Sequence, residues 1–201
     1  MSEQASIRAV AIALLATVAS QIFYITVVSG SENEMLRPLT WFTELIAFLV
    51  LATVSFALGM RRPDSAVLWT LVGISGLLNM LQVAMGLSMF APAMKVSETL
   101  PELFEAVLAG AFFLYFLAKF TLGAAAVMLG LSLFGMGGAV ARSVGAICAL
   151  SGLAALGLNL VAMASRADWT FLAGGAGTLV AAAFAAALLV EGRSTAVTQQ
   201  S

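Results

Sequence analysis

Histidine is absent from this chain, cysteine occurs once, and charged side chains make up only 9% of its 201 residues. Each shortage excludes something. Haem, copper and di-iron bundles normally use imidazole ligands, so a redox-metal centre is not expected. Histidine-based proton shuttles and catalytic triads are excluded with it. The single thiol, Cys148, can form no internal disulfide and lies within an apolar stretch, where it reads as a small core residue. Soluble chains carry roughly 25% charge, and this chain could not cover a soluble core with so little. Its net charge of −1 offers no basic surface for nucleic acid. Walker, dinucleotide, HExxH and GxSxG patterns are also missing. No cofactor is expected, and the chain does not read as an enzyme.

What is abundant is apolar sequence, at 62% of the residues. It falls into runs at 7–29, 39–60, 66–91, 103–134, 139–164 and 169–190. A spanning helix needs about 20 apolar residues, so each run predicts one crossing. The fourth is too long for one straight crossing and too short for two. It must tilt, bend or project, with Gly123 as a soft point. The first run lacks a basic leader and is long enough to span, so it reads as a retained helix, not a signal peptide. The expectation is an all-α, polytopic bundle of six transmembrane helices forming a single domain over residues 1–201.

Orientation follows from the basic residues of short loops. With the N-terminus inside, Arg8, Arg61, Arg62, Arg142 and Arg193 are cytoplasmic, and Arg37, Lys95 and Arg166 lie outside beside carboxylates. Both termini are therefore expected inside, and the membrane is taken to be a bacterial inner membrane. Trp41 and Trp169 would anchor one interface and Trp69 the other. Glu32, Glu34, Glu98, Glu102, Glu105 and Asp168 would form an acidic outer rim.

Counting inward from the interfaces places polar residues by depth. Lys119 falls near the middle of the fourth run and Asn79 near the middle of the third; Gln21, Gln82 and Asn159 lie slightly outward. A cation at mid-bilayer costs roughly 2.5–3.5 kcal/mol on insertion scales and marks a ligand, a pathway or a buried partner. Asn79 and Gln82 share a helix face. Glu44 follows Trp41 by about one turn, and pairs with Lys119 if the lysine reaches outward. Tyr115, with Phe112, Phe113, Phe116 and Phe120, gives the fourth helix an aromatic face suited to a flat apolar ligand. The candidate ligand-binding set is therefore Lys119, Asn79, Gln82, Asn159, Glu44 and Tyr115. For the amides the competing reading is structural glue between helices.

Two patterns concern helix packing. Small residues recur at Ala141, Gly145 and Ala149, and at Ala173 and Gly177, as faces for close helix approach. Met60 followed by Ser75-Gly76 is echoed by Met136 followed by Ser151-Gly152, a faint parallel repeat.

The expected function is binding or transport of a small, anionic or hydrophobic molecule through a mid-membrane polar cluster around Lys119. The alternative is a non-catalytic accessory subunit of a larger membrane complex. Expected partners are the lipid bilayer, a small-molecule or lipid-like ligand, and other membrane proteins or further copies of the chain. A lipid-modifying enzyme built on Glu98, Glu102 and Glu105 ranks lowest, because Pro101 keeps them off one continuous helix face.

Overall fold

The computed structural model describes residues 2–136, 138–165 and 169–198, with side chains as far as Glu191. Arg166, Asp168 and the side chain of Arg193, assigned to loops above, lie outside the described residues. Helix α1 (Glu3–Phe23) starts where the Ser2 hydroxyl accepts from the Ala5 amide at 3.2 Å. A single hydroxyl acceptor at this position satisfies one of the orphan amides of the first turn. The helix widens into a π turn over Tyr24–Val28. Helix α2 (Leu36–Arg61) and a 3₁₀ turn (Pro63–Ser65) lead into α3 (Ala66–Met85). A second π turn (Gly86–Phe90) and the short α4 (Ala91–Lys95) extend α3. Then come α5 (Pro101–Gly135), α6 (Ala139–Ser165) and α7 (Thr170–Thr198). Gly138, with φ of 81°, makes the left-handed turn between α5 and α6 that a residue with a Cβ would resist.

Six of these segments are long and apolar enough to cross a membrane: Glu3–Val28, Leu36–Arg61, Pro63–Lys95, Pro101–Gly135, Ala139–Ser165 and Thr170–Glu191. They match the six apolar runs and widen most of them by a few residues. The fourth is one uninterrupted helix of 35 residues, about 50 Å long at ~1.5 Å per residue. At Gly123 the absent side chain admits a neighbour: a Cβ there would lie 2.9 Å from the Gly152 carbonyl oxygen.

The packing is inside-out relative to a water-soluble bundle. Ile12, Ile25, Leu39, Ile46, Met60, Leu131, Leu150 and Phe171 are exposed, whereas Ser55, Ser75, Asn79, Lys119, Ser151 and Asn159 are buried. Exposed hydroxyls at Thr43, Thr53 and Ser88 return to carbonyls of their own helices. An apolar exterior with self-satisfied polar groups is what hydrocarbon demands. The six helices are compatible with an integral membrane protein.

Helix α1 packs on α2, α2 on α3, α3 on α5, α5 on α6, α6 on α7, and α7 returns to α1; α5 also meets α7. Small residues set the closest approaches. A Cβ on Gly130 would lie 2.5 Å from the Gly145 oxygen and the Ala149 nitrogen, and one on Gly145 would lie 2.6 Å from the Gly130 oxygen. Gly145 and Ala149 of the small-residue stripe therefore face α5 of the same chain. Gly76 likewise presses on Phe48 and Ala52 of α2, and Gly152 on Gly123 and Val127 of α5. The two glycines of the faint repeat thus perform equivalent packing.

One end of the bundle, here the terminal end, carries the start of α1, the end of α7, the turn at 62–65 and Gly138; the opposite is the far end. At the terminal end Arg62 bridges Glu3 at 3.5 Å and Glu191 at 3.2 Å, tying α1, α2 and α7. Trp69, expected as an interfacial anchor, is instead 1% exposed in the core, with its Cβ packed beside Gly59.

Candidate functional site

The far half of the bundle encloses a half-open cavity of about 810 Å³. Five helices contribute: α1 through Gln21 and Tyr24, α2 through Trp41 and Glu44, α3 and its π turn through Gln82 and Phe90, α5 through Phe112 and Tyr115, and α7 through Gly174, Gly175 and Thr178. An aromatic collar adjoins the cavity. Tyr24 stacks on Trp41 with ring centroids 6.4 Å apart, Trp41 meets Phe90 edge-on at 5.8 Å, and Phe90 meets Phe104 at 6.3 Å. Offset and edge-on geometries are those that ring quadrupoles favour.

Both π turns border this cavity. The first presents Tyr24 and Ile25, and the second presents Phe90, while Gly86 leaves room for the Trp41 ring. A widened turn interrupts the regular backbone pattern, and such bulges concentrate at functional sites.

Polar side chains from different helices meet on the wall. Ser20 donates to Glu44 Oε1 at 2.9 Å, joining α1 to α2. The Thr178 hydroxyl lies 2.6 Å from Gln21 Oε1, and the Gln21 amide lies 3.4 Å from the Tyr115 hydroxyl, joining α7, α1 and α5. Gln82 also lines the cavity, and its amide has no hydrogen-bond partner among the described residues.

Lys119 sits one turn of α5 below Tyr115 and is 3% exposed, behind the cavity wall. Its Nζ lies 5.1 Å from the centre of the Tyr115 ring and 6.0 Å from that of Phe48. A desolvated ammonium over an aromatic face gains about 2 kcal/mol. Glu44, 8% exposed, is the carboxylate whose charge acts on it, without forming a direct ion pair. Room for the lysine comes from α7: a Cβ on Gly177 would fall 2.7 Å from Lys119 Cγ, and one on Gly174 would fall 3.3 Å from the Tyr115 oxygen. Gly174 and Gly177 therefore form a cradle for Tyr115 and Lys119. The glycine of the second small-residue stripe is occupied within the chain as well.

The structure thus brings Glu44, Gln82 and Tyr115 to the cavity and places Lys119 directly behind them. Asn79 and Asn159 lie elsewhere. Asn79 donates to the Ser75 carbonyl of its own helix at 2.9 Å. Asn159 donates to Ala155 at 2.8 Å and reaches the Ala173 carbonyl of α7 at 3.4 Å. Neither lines the cavity. Two lining residues, Gln21 and Thr178, were not among the sequence candidates. Their only sequence signal was position, since both fall in the outer halves of apolar runs. The phenylalanines of α5 divide: Phe112 lines the cavity, Phe116 is buried, and Phe113 is exposed on another side.

Among the described residues no cluster of His, Cys, Asp or Glu could hold a metal ion. No family model, no curated protein and no solved structure matches the chain.

Proposed function

We propose that the protein binds a small amphiphilic molecule in the far-half cavity, with the apolar body of the ligand inside the aromatic collar. The observation that carries this reading is a cavity of about 810 Å³ walled by aromatics and a short polar row. Ligand sites are typically clefts of roughly 300–1,000 Å³, mostly apolar, with a few converging polar groups. Gln82 supplies an unpartnered donor and acceptor, and Glu44 an acceptor, so the polar end of the ligand carries a hydrogen-bond donor. Lys119 acts through Glu44: it offsets the buried carboxylate and lies behind Tyr115, so no cation is among the described residues lining the cavity to receive an anionic head. The charge pair keeps the wall polar and electrically balanced.

Gly175 gives a clean test. It lines the cavity, and a Cβ there meets nothing within 4 Å, so a larger side chain enters open space. Gly175→Phe should fold as the parent does and lose the co-purifying amphiphile seen by native mass spectrometry in mild detergent. Equal ligand retention by the folded variant would sink the proposal. Gln82→Leu should weaken retention about tenfold, the scale of one lost hydrogen bond with its partner left unsatisfied.

A further inference from the structure

A second cavity, of about 510 Å³, opens at the terminal end, away from the site just described. It is lined by the 3₁₀ turn between α2 and α3, by the first turn of α3, by Met128, Leu129 and Ser132 of α5, and by Glu191 of α7. Two donors of its lining residues have no partner among the described residues. The Trp69 indole N–H is buried without a hydrogen bond, in a residue only 1% exposed, and the Ser65 hydroxyl is buried without one too. An unmade hydrogen bond at a buried donor carries the full desolvation penalty of that group. Ser65 occupies the N-cap position of α3 yet makes no capping bond. The cavity therefore also meets an uncapped helix start, where backbone amides and the helix dipole favour negative charge.

The charged groups around it are mixed. Arg61 and Arg62 line the cavity together with Asp64 and Glu191. Glu3 and Glu191 hold the Arg62 guanidinium in place at 3.5 and 3.2 Å, which orients it without using all five of its N–H groups. A bare anion would meet Asp64 as well as the arginines. A phosphate carrying an attached ammonium matches both signs.

The geometry points to this cavity as a binding site for a zwitterionic phosphoethanolamine group, its phosphate on Trp69, Ser65 and Arg62 and its ammonium on Asp64. Such a group comes from a phospholipid headgroup or from a soluble phosphate ester. The position of the cavity at one end of the apolar helices, with Leu68 and Met128 on its wall, suits the headgroup of a lipid whose chains lie along the bundle.

Delipidated protein titrated with phosphatidylethanolamine, phosphatidylglycerol or free phosphorylethanolamine tests this, read as bound adducts in native mass spectrometry. Phosphatidylethanolamine should bind roughly tenfold more tightly than phosphatidylglycerol, and Ser65→Ala and Trp69→Phe should each weaken it by about the same factor, one hydrogen bond to a charged group apiece. Asp64→Asn should erase the preference between the two lipids. If phosphorylethanolamine alone binds as well as the lipid and shows the same dependence on Ser65, the ligand is the soluble ester. Equal binding of both lipids to the parent, or binding indifferent to Ser65→Ala in a variant with unchanged melting, overturns the assignment. Ser65→Ala removes a hydroxyl that makes no hydrogen bond among the described residues, so a folding failure in Trp69→Phe would not obscure the result.

Discussion

Gly145→Val is expected to leave almost no correctly folded protein. Its Cβ would sit 2.6 Å from the Gly130 oxygen, 2.8 Å from the Phe134 nitrogen and 3.0 Å from the Leu133 Cβ, mostly backbone atoms that no rotamer change can move. Relief requires α5 and α6 to separate along their contact, which a second interlocked pair, Gly123 with Gly152, also resists. Overpacking ordinarily costs about 1–3 kcal/mol, and a clash with backbone belongs at or above the top of that range. Loss of glycine from a helix interior works the other way by no more than about 1 kcal/mol, so the clash decides the sign. Gly157→Ala, on the same α6, is the control. Nothing lies within 4 Å of its Cβ, so the substitution should be neutral or slightly stabilising. Thermal unfolding and size-exclusion profiles of the two variants, in one detergent, check both expectations. Comparable melting of Gly145→Val and the parent would refute the interlocked packing of α5 and α6.

The second large effect concerns Lys119 and Glu44, and it is a pattern across three variants. Lys119→Met removes the only buried cation acting on Glu44 among the described residues, leaving a buried carboxylate with Ser20 as its hydrogen-bond donor. Breaking such an arrangement from one side costs about 3 kcal/mol, because the remaining charge stays desolvated or must take up a proton. Glu44→Gln likewise leaves the ammonium with only the faces of Tyr115 and Phe48. The double variant, with neither charge, should recover most of the loss, with an interaction energy of about 1–3 kcal/mol in the cycle. Strictly additive losses would show that the two charges are independent, and the balanced-wall account of the cavity would fall with them. Ligand retention separates structure from binding here. It should drop in Glu44→Gln even where stability is restored by the second substitution, since Glu44 lines the cavity and Lys119 does not.

The spans were legible because hydrophobic length is a one-dimensional signal, and each run needed nothing beyond its own sequence. Depth counting put Lys119 near the middle of its run and Glu44 toward the far end, but left open whether the lysine is buried, which the structure shows it to be. What the sequence could not reveal was which helix faces meet. Asn159 has the same depth signature as Gln82 and Asn79 lies less than a turn deeper, yet both asparagines bond carbonyls of their own helices while Gln82 reaches the cavity. Gln21 and Thr178 come together across almost the whole chain, through the contact between the first helix and the last. The two π turns leave no mark in a pattern of uniformly apolar residues, because a widened turn is detected only through its hydrogen bonds. Trp69 misled for a related reason: its depth near an interface is the same whether the ring faces lipid or the interior.

The order of the helices has a mechanical consequence. Consecutive helices around the ring are joined by a loop or short helix, whereas α1 and α7 are not, and α5 meets α7 only with α6 between them in sequence. Widening the ring between consecutive helices drags a connection with it; parting α1 from α7 strains none. That joint is also a wall of the cavity, through Gln21 and Thr178, and Arg62 fastens its terminal end to Glu3 and Glu191. The protein is therefore built like a cylinder slit along one side, clasped at one rim. For the ligand proposed above, that seam would be the joint at which the cavity opens with least strain on the chain.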